Sequence, residues 1–281
     1  MILAVASGKG GTGKTTVAVA LAKAAQNAVL IDADVEEPNA HLFLKIQVER
    51  KNSVYRMVPE IDEKRCSFCG KCKEICRFNA LTVFPGTVLS FPEMCHGCYG
   101  CIEVCPEKCI SRGQKLVGHL YHGKNGDLEI AYGILEVGEP MASPLIKSLK
   151  ERFLKPERLN IIDSPPGASC AMLTAIRGAD YCILVTEPTP FGLHDLRQAV
   201  EAVRKLKIPI GVIVNRAGGE FPELYSYLES QRLPLLLEIK NEKAVARAYA
   251  RGIGLLEARP ELREEFEKLL EEIRHERGGG S

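Results

Sequence analysis

The chain has 281 residues, 46% of them hydrophobic, and a formal net charge of +1. That is enough for a sizeable core and one or two domains, and the balanced charge without a long basic run argues against a nucleic-acid partner. The longest apolar stretches, such as Val17 to Ala25 with Lys23 inside it, are too short or too interrupted to span a bilayer.

Met1 leads straight into a buried-strand pattern, Ile2-Leu3-Ala4-Val5-Ala6, which is not the pattern of a signal peptide. A strand is predicted at 2–7, a helix at 14–26 and a second strand at 28–32. The alternation breaks at about residue 50 and resumes at about 143. Within the break, 115–121 and 126–137 read as an antiparallel pair, with Gly123-Lys124-Asn125-Gly126 as its turn. From there, helices at 143–153, 169–177, 191–206, 220–229 and 242–251 alternate with strands at 159–163, 181–186, 209–214 and 233–239. The strands are continuous apolar runs, for example Cys182-Ile183-Leu184-Val185. That pattern belongs to parallel strands buried on both faces and joined by crossover helices. The last helix, 261–276, has Leu262, Phe266, Leu269, Leu270 and Ile273 on one face and mainly Glu on the other. A membrane-surface helix would carry the opposite charge, so this one is expected to pack on the core, with no membrane anchor. Residues 278–281 read as a flexible tail.

The first strand and first helix enclose Gly8-Lys9-Gly10-Gly11-Thr12-Gly13-Lys14-Thr15, which fits G-x-x-x-x-G-K-[ST]. Glycines there let backbone N–H groups close on phosphate oxygens. Lys14 is placed to reach the β- and γ-phosphates, and the Thr15 hydroxyl to take Mg²⁺. Asp163 ends the apolar strand Leu159-Asn160-Ile161-Ile162, where an acid can hold Mg²⁺ directly or through water.

Eight of the eleven cysteines fall in two runs. The first is Cys66-x2-Cys69-x2-Cys72-x3-Cys76 and the second is Cys95-x2-Cys98-x2-Cys101-x3-Cys105-Pro106. Two-residue spacers let three sulfurs of one loop reach one iron–sulfur cube, while the fourth reaches the other. The expected ligand sets are therefore Cys66, Cys69, Cys72 and Cys105 for one [4Fe–4S] cluster, and Cys95, Cys98, Cys101 and Cys76 for the second. Zinc is the alternative for Cys-x2-Cys pairs, but it does not account for two four-cysteine runs. Arg77 stands where the motif carries proline, a position that shapes the turn and is not a ligand. His96 is expected to lie solvated beside the ligands. Thiols in metal spacing without an export signal point to the reducing cytosol. Cys109 and Cys182 read as packing thiols.

Together the runs resemble a bacterial-type double-cluster ferredoxin, spanning 60–112 as an insertion into a discontinuous domain made of 1–59 and 113–277. Lys9 before Gly10-Gly11-Thr12-Gly13-Lys14-Thr15-Thr16 resembles the deviant Walker A of the MinD/ParA, Mrp and nitrogenase iron-protein group. Ile31-Asp32-Ala33-Asp34 and Asp163-Ser164-Pro165-Pro166-Gly167 resemble its two switch segments, and Val214-Asn215-Arg216 its base-binding segment. The fold this implies is α/β, a doubly wound, mostly parallel P-loop sheet with an inserted ferredoxin-like module. The resemblance also implies ATP rather than GTP, and a face-to-face dimer of identical or paralogous chains closing over two nucleotides. Lys9 would then reach the partner's phosphates, Asp34 would position the attacking water, and Asn215 would bind adenine. From the residues alone, the alternative reading of Asn215 is a loop-capping asparagine.

Three functions compete. The first is an ATP-gated electron carrier working with a redox partner, and closed four-cysteine sites favour it. The second is an iron–sulfur assembly or carrier ATPase of the Mrp type; no Cys-x2-Cys pair follows residue 110 to support it. The third, a positioning ATPase, leaves the cysteines unexplained. Cys170, seven residues after Asp163, matches in spacing a cysteine that bridges two subunits through a cluster in the nitrogenase iron protein. It is expected either to pack at an interface or to touch a third, transient cluster.

Overall fold

The computed structural model describes residues 1–44, 46–219 and 221–278. The nucleotide half opens with strand β1 (Ile2–Ala6), helix α1 (Lys14–Ala24) and strand β2 (Ala28–Asp32). A short 3₁₀ turn, Ala40–Phe43, leads into the long strand β3 (Gln47–Ile61). The cysteine segment adds α2 (Lys71–Ile75), β4 (Leu81–Phe84), β5 (Thr87–Ser90) and α3 (Gly100–Glu103). The chain returns through β6 (Ile110–Asn125) and β7 (Leu128–Leu135). It continues as α4 (Ser143–Phe153), β8 (Leu159–Asp163), α5 (Cys170–Ile176), β9 (Tyr181–Thr186) and α6 (Pro190–Lys205). It finishes with β10 (Ile210–Ala217), α7 (Pro222–Ser230), β11 (Leu235–Lys240), α8 (Lys243–Tyr249), α9 (Leu255–Ala258) and α10 (Leu262–Gly278).

Among the described residues, nine strands form one sheet in the order β11-β10-β9-β1-β8-β2-β7-β6-β3. The first seven in that order run parallel, and β6 and β3 are antiparallel at one edge. The apolar runs of β1, β2, β8 and β9 are buried almost throughout, as strands covered by helices on both faces must be. On one face α1 and α10 pack over the sheet, with Phe266 fully buried. On the other face lie α4, α5 and α6. The C-terminal helix therefore packs on the core, as its apolar face predicts.

The stretch after residue 50 differs from the expectation. It is no interruption of the sheet but a long ribbon, in which β3 pairs with β6 from Gln47↔Lys124 to Ile61↔Ile110. The antiparallel pair predicted near 115–137 is present as β6 and β7, and β7 also joins β2 in parallel. Its turn is Gly126-Asp127, two residues later than expected, because Asn125 still pairs with Leu128. The cysteine segment hangs from the outer end of the ribbon. The predicted division at 59/60 and 112/113 falls inside paired strand, where Pro59 faces Arg112. Residues 279–281 of the predicted tail lie outside the described residues, and Gly278 ends α10.

Candidate functional site

The phosphate loop joins β1 to α1 at the carboxyl ends of the parallel strands, where open α/β sheets place their ligands. Gly13 adopts φ +90, and a Cβ there would lie 2.1 Å from Nδ2 of Asn215. Gly8 is equally confined, since its Cβ would meet the backbone of Asp195 at 2.1 Å. Only glycine fits either place. A cavity of about 400 Å³ opens in front of the loop, lined among others by Gly10, Gly11, Lys14, Thr15, Thr16 and Asp34.

The strand register sets the acids side by side. Val5 of β1 pairs with Asp163 of β8, and Asp163 pairs with Asp32 of β2. Asp163 is fully buried, and its Oδ1 accepts a 2.6 Å bond from Lys14 Nζ. Among the described residues its Oδ2 has no partner, and neither does Oγ1 of Thr12 in the phosphate loop. A buried carboxylate oxygen left without a donor is costly, and a hard cation held by Thr15 and Asp163 would satisfy it. The donor set thus fits Mg²⁺. Burial opposes the Lys14 charge, yet Asp163, Asp32 and Asp34 outweigh it and hold its pKa above the ordinary value.

Asp32 anchors the loop that follows it, its carboxylate accepting the N–H groups of Asp34, Asn39 and Ala40. Burial, with the Asp163 charge added, pushes its pKa up to about 7. Burial raises Asp34 to about 6, partly opposed by Lys14. Lys9 lies 3.4 Å from Glu187, which also holds Arg216 at 2.6 Å. Asn215 donates its Nδ2 to the Thr12 carbonyl at 2.7 Å while also lining the cavity. Sequence reasoning missed Glu187 and Tyr249 of α8, which also lines the cavity. Nothing local in the sequence marks either.

The two cysteine runs fold as a repeat. Residues two, four and thirteen positions after the first cysteine of each run have positive φ: Phe68, Gly70 and Asn79, then Gly97, Tyr99 and Lys108. Four of these six are not glycine, and backbone of that kind persists only where the surroundings enforce it. The turns bring N–H groups onto sulfur, Phe68 N to Cys66, Gly97 N to Cys95 and Ala80 N to Cys76. One small cavity is lined by Cys66, Cys69, Cys72 and Cys105, with Cys109 added. The other is lined by Cys76, Cys95, Cys98 and Cys101. Each run thus lends its fourth cysteine to the cavity of the other. Among the described residues, no group of three or more His, Cys, Asp or Glu side chains converges as a single metal ion would need. The four motif thiols of each cavity are the donor type that an iron–sulfur cluster takes. Arg77 is exposed. His96 stacks on Phe78 with ring centroids 3.7 Å apart.

Between this segment and the nucleotide half lies a groove of about 1080 Å³. Arg56, His96 and Gly97 line one side, and Ser169, Cys170 and Thr174 the other. Arg56 is buried and ties the halves together. It donates to the carbonyls of Cys95 and Pro92 and to Glu139, whose carboxylate also meets Lys115. Cys170 is exposed at the start of α5, which Ser169 caps. Cys182 is fully buried among apolar side chains, as expected of a packing thiol.

No helix among the described residues is long and apolar enough to cross a membrane. A sequence profile of the CobQ/CobB/MinD/ParA nucleotide binding domain matches residues 3–256. The chain is 30% identical over 223 residues to the uncharacterized protein MJ0578 of Methanocaldococcus jannaschii, covering 78% of this chain and 79% of that one. It is 29% identical over 226 residues to the iron-sulfur cluster carrier protein of Pyrococcus abyssi, covering 76% of this chain and 60% of the carrier. In fold it is similar to the septum site-determining protein MinD of Pyrococcus horikoshii, complexed with Mg-ADP. The overlay has a TM-score of 0.58 at 20% identity and covers 97% of this chain and 95% of that one. The chain belongs to the CobQ/CobB/MinD/ParA nucleotide-binding family, as a P-loop ATPase whose sheet carries a cysteine-rich segment on a long ribbon.

Proposed function

We propose that the protein is an ATP-hydrolysing iron–sulfur protein in which nucleotide-driven closure of a dimer gates electron transfer through two [4Fe–4S] clusters. The observation that carries this reading is the sorting of eight motif cysteines into two cavities of four, each drawing on both runs. Residues 60–112 then form an inserted ferredoxin-like domain, and 1–59 with 113–277 the ATPase domain. When bound, the clusters supply one-electron transfer. The protein supplies the rest. Lys14 and the loop N–H groups hold the phosphates, Thr15 and Asp163 hold Mg²⁺, and Asp34 orients the attacking water. Lys9 leaves Glu187 to reach the nucleotide of a second subunit, identical or paralogous, and Asn215 faces the base. The groove shared by His96 and Cys170 gives nucleotide state a short route to the second cysteine set. The reading fits a reducing cytoplasmic compartment and a redox partner.

The test is anaerobic purification with reduction of the clusters followed with and without ATP. About eight irons per chain are expected, with transfer to an acceptor accelerated by ATP. Zinc in place of iron would overturn the reading. A second reading, an iron–sulfur cluster carrier, is favoured by the likeness to the Pyrococcus abyssi protein. It is distinguished by loss of iron from this chain to an iron-free acceptor.

A further inference from the structure

The first cysteine cavity is lined by five thiols, where a cube takes four. Cys109 lies beside Cys66, Cys69, Cys72 and Cys105, its Sγ 3.5 Å from that of Cys105. The internal repeat shows what that position needs. Cys109 comes fourteen residues after the first cysteine of its run, and the residue at the same offset in the other run is Ala80. Both are buried, 4% and 2% exposed, each directly before a strand and beside the fourth cysteine of its run. At Ala80 the backbone N–H bonds to the fourth sulfur and the side chain is a methyl group. Alanine therefore satisfies the fold at this place, and the extra thiol of Cys109 is surplus to packing. Cys182, by contrast, is buried in the sheet with apolar neighbours.

We propose that Cys109 is a reserve ligand of the first cluster, able to replace Cys105. This rests on reading the cysteine runs as cluster sites. In the exchange Cys109 loses its proton to solvent as its sulfur binds iron, and the Cys105 sulfur leaves iron and takes up a proton. No electron moves. The two ligands hang from different parts of the protein. Cys105 lies on the loop after α3, whereas Cys109 adjoins β6, which continues into the sheet beside β7. β7 in turn pairs with β2, the strand that ends in Asp32. Exchange moves the attachment of the first cluster from the outer loop to a strand continuous with the nucleotide domain.

Iron content and the electron paramagnetic resonance of the reduced protein test this, after anaerobic reconstitution. The wild type and Cys109→Ala should both hold about eight irons. Cys105→Ala should also hold about eight, with a changed first-cluster signal, and Cys105→Ala with Cys109→Ala should fall to about four. About four irons in Cys105→Ala alone overturns the reserve role. A wild type far short of eight overturns the cluster reading instead. Calorimetric ATP binding controls for folding. A second measurement needs no variant. In wild-type protein stripped of iron, diamide accepts two electrons and two protons from a thiol pair, and peptide mapping should find Cys105 joined to Cys109. Absence of that bond overturns the proposal.

Discussion

Lys14 and Asp163 form a 2.6 Å ion pair that water barely reaches, the side chains being 7% and 0% exposed. The lysine opens α1 and the aspartate closes β8, so the pair binds helix to strand at the mouth of the nucleotide cavity. In this arrangement the cation assigned to phosphate and the carboxylate assigned to Mg²⁺ neutralise one another. On the proposed roles, a nucleotide with its metal would replace both halves of the bond at once.

Lys14→Ala should therefore act twice. It removes a phosphate contact and leaves a buried carboxylate unpaired, a loss of about 3–5 kcal/mol in comparable pairs. Calorimetry should show no tight ATP binding, and Lys14→Ala with Asp163→Ala should recover part of the lost stability. Lys9→Ala should keep ATP binding and slow hydrolysis, because Lys9 pairs with Glu187 and is not among the residues lining the nucleotide cavity. Equal loss of binding in both single variants would contradict the role of Lys9 across a dimer.

The pH dependence of the nucleotide-free protein should run against habit. Burial raises Asp32 from 3.8 to about 7 and Asp34 to about 6. Between those limits the folded chain keeps protons that the unfolded chain has lost. Stability is therefore greatest at the acid end of that window and falls as pH rises through it. Glu129 acts in the opposite sense and only below 4.5. Burial works against its charge, but Lys155, His122 and Arg158 override it and lower its pKa to about 2. Thermal melts should decline from about pH 5 to about pH 8, with a shallower slope in Asp34→Asn. A melting temperature that climbs over this range would refute the assignment.

Phe266 is fully buried between α10 and the core. Phe266→Ala should cost about 3–5 kcal/mol, measured by urea unfolding. The same wild-type preparation should not pellet with liposomes. ATP-dependent pelleting would revive a positioning role.

Cys170→Ser should retain iron and basal ATP hydrolysis, since the side chain is exposed and outside both thiol cavities. If the groove couples the halves, the variant loses ATP-accelerated electron transfer. Transfer rates equal to wild type would leave Cys170 without a part in coupling.

Much of this was legible because parallel strands buried on both faces are continuous apolar runs, and β1, β2, β8 and β9 are of that kind. The long strand β3 was not, for a specific reason. Its inward positions are Val54, Arg56 and Val58, and the arginine breaks the apolar alternation. Only the fold reveals that Arg56 is buried against Glu139 and the Cys95 carbonyl. The phosphate loop and the cysteine spacing are local patterns and could be read directly. Glu187, 178 residues from Lys9, is a partner that only the sheet order brings near. From the sequence Cys109 reads as a packing thiol because that is the usual fate of a free cysteine, and its correspondence with Ala80 shows only in the fold.

Strand order also fixes a sequence of assembly. β1 lies between β8 and β9, so the strand that carries the phosphate loop has no sheet neighbour until about Asp163 has been made and lacks its second until about Thr186. The ribbon and both cysteine runs are complete by Leu135. Synthesis proceeds from the N-terminus and domains fold as units while it does. If the cysteine runs hold clusters as proposed, each newborn molecule would expose its thiols to the iron supply before it has a place for ATP, and a ribosome-bound chain stalled after β7 should capture iron without binding nucleotide.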